Sequence, residues 1–282
     1  MNNRVPSKSK ESQKANILIL AGTSEAREVI TMLKDDARFR LTASLAGTTK
    51  SPASLGVDTR IGGFGGTEGL TAYCREHDIS LLLDITHPFA REISRNAVLA
   101  TAEAGIPCIR YERPEWRPED GDRWRSFDDW QSMADAIPEG EHVFLAGGTQ
   151  SIDIFTRRDD IMLWARALNV EGRIAPPNVT FINAMPEETV AEERETFVAN
   201  RISLLCCKNS GGPASFAKIA AARELGIPVW LLARHRDEIA SSAITPVEAR
   251  RQATPKLEIH HSVEDVVRGV NHLLNSISEK NK

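Results

Sequence analysis

Short apolar runs and amphipathic stretches take turns along this chain. Asn16–Ala21 (NILILA) is apolar almost throughout, which suits a strand covered on both faces of a parallel sheet. Gly22-Thr23-Ser24 makes a tight turn. Ser24–Lys34 then sets Ala26, Val29, Ile30 and Leu33 on one helical face. The alternation continues with strands expected at Phe39–Ala46, Ser80–Ile85 and Ile106–Tyr111, and helices at Glu68–His77, Phe89–Ala104 and Asp128–Ala136. Gly47–Gly66 reads as loop, and so does the polar, Pro-rich Glu112–Arg125. After Pro138-Glu139-Gly140 the pattern restarts. Strands are expected at His142–Ala146, Ile161–Arg166, Val179–Asn183, Ser203–Cys207 and Ile227–Leu232. Helices are expected at Ser151–Thr156, Glu187–Asn200, Pro213–Leu225 and Val263–Ser276.

Strand-then-helix repetition predicts an α/β protein with parallel sheets covered by helices on both faces. A chain of 282 residues accommodates two domains at roughly 100–200 residues each. The expected division is a disordered polar tail over 1–14, an N-terminal domain over 15–138 and a C-terminal domain over 139–282. No sequence repeat of fixed period joins the halves, so they share architecture alone.

Composition narrows the partners. A 41% hydrophobic content supports a sizeable core, and a net charge of −4 gives no basic field for nucleic acid or anionic membrane. No apolar run approaches the roughly 18 residues of a membrane span. The first residues lack the apolar core of a signal peptide. Cys74, Cys108, Cys206 and Cys207 form no C-x-x-C pair and read as reduced, mostly buried thiols of a cytoplasmic protein. The residues set no oligomeric state; a monomer is compatible with them.

Three strand-end loops carry candidate chemistry. The first is Ala21-Gly22-Thr23-Ser24-Glu25-Ala26, a degraded form of the glycine-rich dinucleotide turn. Small residues there let a pyrophosphate reach the N–H groups and positive dipole end of the following helix; the structural alternative is a plain turn with Ser24 as helix cap. After the second strand, Ser44-Leu45-Ala46-Gly47-Thr48-Thr49-Lys50 offers hydroxyls and a lysine but no acid, which favours NADP over NAD. The second loop is Asp84-Ile85-Thr86-His87-Pro88. Thr86 and His87 are candidate catalytic groups, His87 as a proton donor or as a hydrogen-bond partner of a ligand, while Asp84 or Thr86 could also cap the next helix, capping and ligand contact sharing one loop. Asp84 and His87 alone complete no ligand set, so no metal is expected. The third loop is Lys208-Asn209-Ser210-Gly211-Gly212, suited to anionic groups on a ligand. Lys218 follows on a helix, where a solvated face is the plain reading. Arg110, Arg113, Arg117 and Arg166 are further candidates for binding carboxylates.

Taken in order, these segments resemble the precorrin-6A reductase family of corrin biosynthesis. The stretches that carry the resemblance are ILILAGTSEAR at Ile17–Arg27, SLAG at Ser44–Gly47, IGGFGGTEGL at Ile61–Leu70, DITHPFA at Asp84–Ala90, RYERPEW at Arg110–Trp116 and KNSGGPASFAKIAAARELGIPV at Lys208–Val229. The resemblance implies two Rossmann-like domains with a ligand cleft between them. It implies NADPH as cofactor, with contacts from Gly22, Thr23, Ser24, Glu25, Ala26, Ser44, Thr48 and Thr86. The implied substrate is a tetrapyrrole rich in carboxylates, contacted by Lys208, Asn209, Ser210, Gly211 and Gly212. The implied reaction takes precorrin-6A to precorrin-6B by hydride transfer to a macrocycle double bond.

The chain departs from the family pattern at three loops. An arginine usual after LAG is Thr48, an Arg-Gly-Pro-Phe stretch is Ala184-Met185-Pro186-Glu187, and an Arg-Pro pair is Arg234-His235. Two other readings therefore stand beside the reductase: a non-catalytic binder of dinucleotide or tetrapyrrole, and an NADP-dependent reductase of another small anionic metabolite.

Overall fold

The computed structural model describes residues 14–47, 54–234 and 257–280. It divides into two compact units. Unit 1 comprises residues up to Gly47, Ala53–Glu112 and Thr245–Lys282, and unit 2 is built mainly on Arg113–Ile244. Most of the expected tail lies outside the described residues.

Unit 1 contains β1 (Ala15–Leu20), α1 (Ser24–Leu33), β2 (Phe39–Leu45), β3 (Asp58–Ile61), α2 (Gly66–Glu76), β4 (Ile79–Asp84), α3 (Arg91–Ala104) and β5 (Cys108–Tyr111). Unit 2 contains β6 (Trp124–Phe127), α4 (Trp130–Asp135), β7 (His142–Ala146), α5 (Thr149–Phe155), β8 (Met162–Arg166), β9 (Val179–Ile182), α6 (Val190–Ala199), β10 (Leu204–Lys208), α7 (Ala217–Glu224) and β11 (Val229–Leu232). The chain then returns to unit 1 with β12 (Leu257–His260) and α8 (Val263–Lys280).

Each unit holds one six-stranded sheet, and the strand pairs in both are parallel. The orders are β12-β5-β4-β1-β2-β3 and β6-β11-β10-β7-β8-β9. Chain order reverses between β1 and β4 in the first sheet and between β7 and β10 in the second. Such a reversal leaves a crevice at the carboxyl ends of the strands, because successive connections diverge to opposite faces.

Helices seal both faces. Ile17, Ile19, Leu81 and Leu83 pack with Val29 and Ile30 of α1 and with Val266 and Val270 of α8. The opposite face pairs Leu18, Leu20 and Leu82 with Leu70 of α2 and Ala97 and Ala100 of α3. In unit 2, Phe144, Leu205, Cys207 and Leu231 pack against Phe197 of α6 and Ile219 of α7. Cys206 and Cys207 face opposite ways along β10, yet both are fully buried because both faces are covered.

The fold corrects the expected division at 138–139. The change of unit falls after Glu112, and β6 with α4 belongs to the second sheet: Trp124–Phe127 pairs residue by residue with Val229–Leu232. At the other end, Leu257–His260 pairs with Cys108–Tyr111, so the C-terminal strand and α8 complete unit 1. Strand β3 lies in a stretch expected to be loop, β6 begins at the end of another, and β12 was not anticipated.

Candidate functional site

In unit 1 the two loops at the reversal are tied together by one hydroxyl. Thr23 Oγ1 accepts from Ala26 N at 3.1 Å and donates to Ile85 O at 2.8 Å. Thr23, not Ser24, is therefore the N-cap of α1. Ser24 Oγ instead donates to Glu25 Oε2 at 2.9 Å, and Glu25 is buried in the first turn. Gly22 has φ +124°, a value that glycine tolerates, and a Cβ built there would meet nothing within 4 Å. Open space thus lies over the first turn of α1, whose leading N–H groups have no intrahelical acceptor and carry the positive end of the dipole. Ala21 N donates to Ser44 O at 2.9 Å, which brings the end of β2 to the same place.

The loop after β4 is built around a buried carboxylate. Asp84 Oδ1 accepts from Thr86 N at 3.2 Å and from Thr86 Oγ1 at 2.6 Å, and Oδ2 lies 3.8 Å from Arg110 Nε. Ser94 Oγ is 3.2 Å from Thr86 Oγ1. The Thr86 proton is committed to Asp84, so this side chain orders the loop. Capping of α3 by Asp84 or Thr86 does not occur: the helix begins at Arg91 behind Ala90, with no side-chain cap. His87 Nδ1 accepts from Phe89 N at 3.2 Å. With Nδ1 acting as acceptor, the neutral imidazole carries its proton on Nε2.

The sequence reading missed Arg60 at this end of the sheet. Parallel pairing of β2 with β3 sets Arg60 directly beside Ser44, and its Nη1 donates to Ser44 Oγ at 2.8 Å. Thr48 lies outside the described residues.

In unit 2 the corresponding loops follow β7 and β10. A Cβ on Gly147 would lie 2.2 Å from Ser151 Oγ and 2.8 Å from the Trp130 ring, so packing requires glycine. Lys208 ends β10, and its Nζ is 3.8 Å from the Cβ position of Gly148. Burial lowers the Lys208 pKa. Asn209 uses its side chain as a strand mimic: Trp116 N donates to Oδ1 at 3.0 Å, and Nδ2 donates to Trp116 O at 3.3 Å. Trp116 Nε1 donates to Gly212 O at 2.9 Å. Gly211, with φ +64°, admits Pro114 O within 2.1 Å of where a Cβ would stand. Much of the Asn209–Gly212 loop therefore serves to seat the Pro114–Trp116 segment. A groove lies beside it, lined by Pro114, Trp116, Arg117, Phe216 and Arg234.

Three basic residues differ from expectation. Lys218 is buried, not on a solvated face; its ammonium sits 5.1 Å above the Trp116 ring and bonds to Ser215 O. Burial pushes its pKa down, and Arg166 adds to the effect. Arg166 is closed in an ion pair with Glu193, at 2.6 and 3.1 Å, with side chains 3% and 0% exposed. It is therefore not available to a ligand carboxylate. Arg110 is directed to Asp84. Among the described residues, no group of three or more His, Cys, Asp or Glu could hold a metal ion, and no helix is long and apolar enough to cross a membrane.

The structure thus gathers Gly22–Ala26, Ser44 and Thr86–His87 at one end of the first sheet, and Lys208–Gly212 at the corresponding end of the second. Two parallel sheets, each reversing chain order beside small-residue loops, define a doubly wound α/β protein of Rossmann type built twice. A family model described as precorrin-6x reductase CbiJ/CobK matches residues 16–255. The precorrin-6A reductase of Rhodococcus erythropolis is 40% identical over 219 residues, which is 77% of this chain and 88% of that protein. The precorrin-6A reductase of Sinorhizobium sp is 40% identical over 226 residues, covering 79% and 87%. A solved structure described as CobK precorrin-6A reductase superposes with TM-score 0.80 at 32% identity, covering 92% of this chain and 97% of that one. The chain belongs to the precorrin-6x reductase family.

Proposed function

We propose that this protein reduces precorrin-6A to precorrin-6B with NADPH, as a cytoplasmic step of cobalamin biosynthesis. The observation that carries this reading is the open backbone at Gly22, over the N-terminus of α1, in a chain of this family. The residues present fit a dinucleotide. No Cβ obstructs a pyrophosphate at Gly22, the first turn of α1 offers N–H donors, and Ser44 with Arg60 replaces the acid that would repel an outer phosphate. A bound reduced nicotinamide supplies the hydride.

The protein's own part is to position and to hold a proton. Thr86 and Asp84 fix the loop that carries His87, and the Nδ1 contact with Phe89 N keeps the His87 proton on Nε2. His87 Nε2–H is the proposed hydrogen-bond donor to the substrate, and water supplies the proton to the carbon next to the one reduced. In unit 2, Lys208 and the backbone N–H groups of Gly211 and Gly212 are the proposed contacts for substrate carboxylates, the Ser210 N–H being used on Lys208 O; a cation with restricted solvent access binds an anion more strongly than an exposed one does.

The direct test supplies purified protein with precorrin-6A and NADPH. Loss of NADPH absorbance together with a shift of the corrin spectrum is expected. Tight binding of both ligands without oxidation would instead identify a non-catalytic binder. NADPH binding without tetrapyrrole binding would point to another anionic substrate.

A further inference from the structure

We propose that Arg60 is the residue that selects the 2′-phosphorylated dinucleotide. The proposal rests on the reading of unit 1 as the dinucleotide site. Its basis is the register of β2 and β3, which makes Ser44 and Arg60 cross-strand neighbours at the carboxyl end of the sheet. In a doubly wound fold, that end of the second strand faces the adenosine ribose, and an acid there binds the free hydroxyls of NAD. Here the position carries a hydroxyl joined to a cation.

The guanidinium is held in advance of any ligand. Nη1 donates to Ser44 Oγ at 2.8 Å and to Gly62 O at 3.0 Å, and Nη2 donates to Gly63 O at 2.9 Å. The ring of Phe64 covers one face, with its centroid 3.8 Å from the guanidinium carbon. Arginine has five N–H donors. These contacts use three, leaving Nε–H and one Nη2–H among the described residues. Nε and Nη2 share one edge of the fork, the geometry that grips a phosphate with two parallel bonds. Ser44 Oγ accepts from Arg60, so its own proton is available to a third phosphate oxygen. The acid nearest along β3 on the same face is Asp58, two residues earlier and exposed.

The glycines beside Arg60 agree with this placement. A Cβ on Gly62 or Gly63 would meet nothing within 4 Å, and Gly63 does not have a positive φ. Among the described residues nothing packs against Gly63 to require glycine. A ligand lying against the backbone there would require it.

The test measures binding of NADP⁺ and NAD⁺ to the full-length protein by calorimetry, with adenosine 2′,5′-bisphosphate and adenosine 5′-monophosphate as smaller probes. Wild type is expected to prefer NADP⁺. Arg60→Gln should weaken NADP⁺ and the bisphosphate by about 10- to 100-fold while NAD⁺ changes by less than about 3-fold, the range for losing charge-assisted bonds to one group. Ser44→Ala, which leaves the Arg60 contacts to Gly62 and Gly63 in place, should weaken NADP⁺ by about 3- to 10-fold on the same scale. It guards against misfolding of the arginine variant. Equal losses for NADP⁺ and NAD⁺ in both variants, or no loss in either, would overturn the assignment. If wild type binds neither dinucleotide, the reading of unit 1 fails first and the assignment falls with it.

Discussion

Replacing Thr23 by valine keeps the shape of the side chain and removes one oxygen. That oxygen makes two bonds, capping α1 through Ala26 N and holding the β4 loop through Ile85 O. Loss of an N-cap costs about 1 kcal/mol, and leaving a buried carbonyl without its donor costs about 1–3 kcal/mol, so Thr23→Val should destabilise unit 1 by about 2–4 kcal/mol. Thr23→Ser retains the oxygen and should fall within about 1 kcal/mol of wild type. The five tryptophans, Trp116, Trp124, Trp130, Trp164 and Trp230, all lie in unit 2. Tryptophan fluorescence during urea unfolding therefore reports on unit 2, while amide hydrogen exchange in peptides spanning β1 and α1 reports on the site of change. The expected result is faster exchange in those peptides for valine but not serine, with a smaller effect on fluorescence. A valine variant with wild-type exchange, or a serine variant as impaired as valine, would refute the claim that one hydroxyl holds the two loops together.

Two further outcomes test other parts of the structure. Glu193→Gln leaves the buried Arg166 cation without its anion and should cost about 3–5 kcal/mol in fluorescence-monitored unfolding, whereas the double change Arg166→Met with Glu193→Leu should recover most of that loss. The thiols should be unreactive in the native state. Burial raises Cys74 and Cys207 to about 11 and pushes Cys108 and Cys206 upward as well. At about pH 8 the native thiols stay protonated and covered, so an aromatic disulfide reagent should label none quickly and all four after denaturation. Rapid native labelling would contradict the burial described.

The central strands were legible because burial on both faces makes them apolar at nearly every position. β1, β4, β7 and β10 fall within one or two residues of expectation. The missed strands DTRI, WRSF and LEIH occupy sheet edges, are four residues long and hold a single buried residue, Phe127, among them. Nothing in their composition marks them, and pairing with a neighbour makes them strands. The division between units was hidden for the same reason, since composition does not say which sheet an edge strand joins. The turn at Gly22 was legible from residue type and context. Arg60 was not, because its role comes from standing opposite Ser44, and only the register supplies that. Lys218 was misread because a helix of small apolar residues gives no warning that a lysine among them points inward.

The return of the chain to unit 1 has a consequence for how the molecule is made. Val263, Val266, Val270 and Leu273 of α8 share a buried cluster with Val29, Ile30 and Leu33 of α1, near the other end of the sequence. A ribosome finishes β5 and then adds about 150 more residues before that cover exists, an interval of roughly 8–30 seconds at about 5–20 residues per second. Through that interval one apolar face of the first sheet and the free edge of β5 are left without their final partners, the situation in which nascent chains bind chaperones or one another. The half that is begun first is finished last.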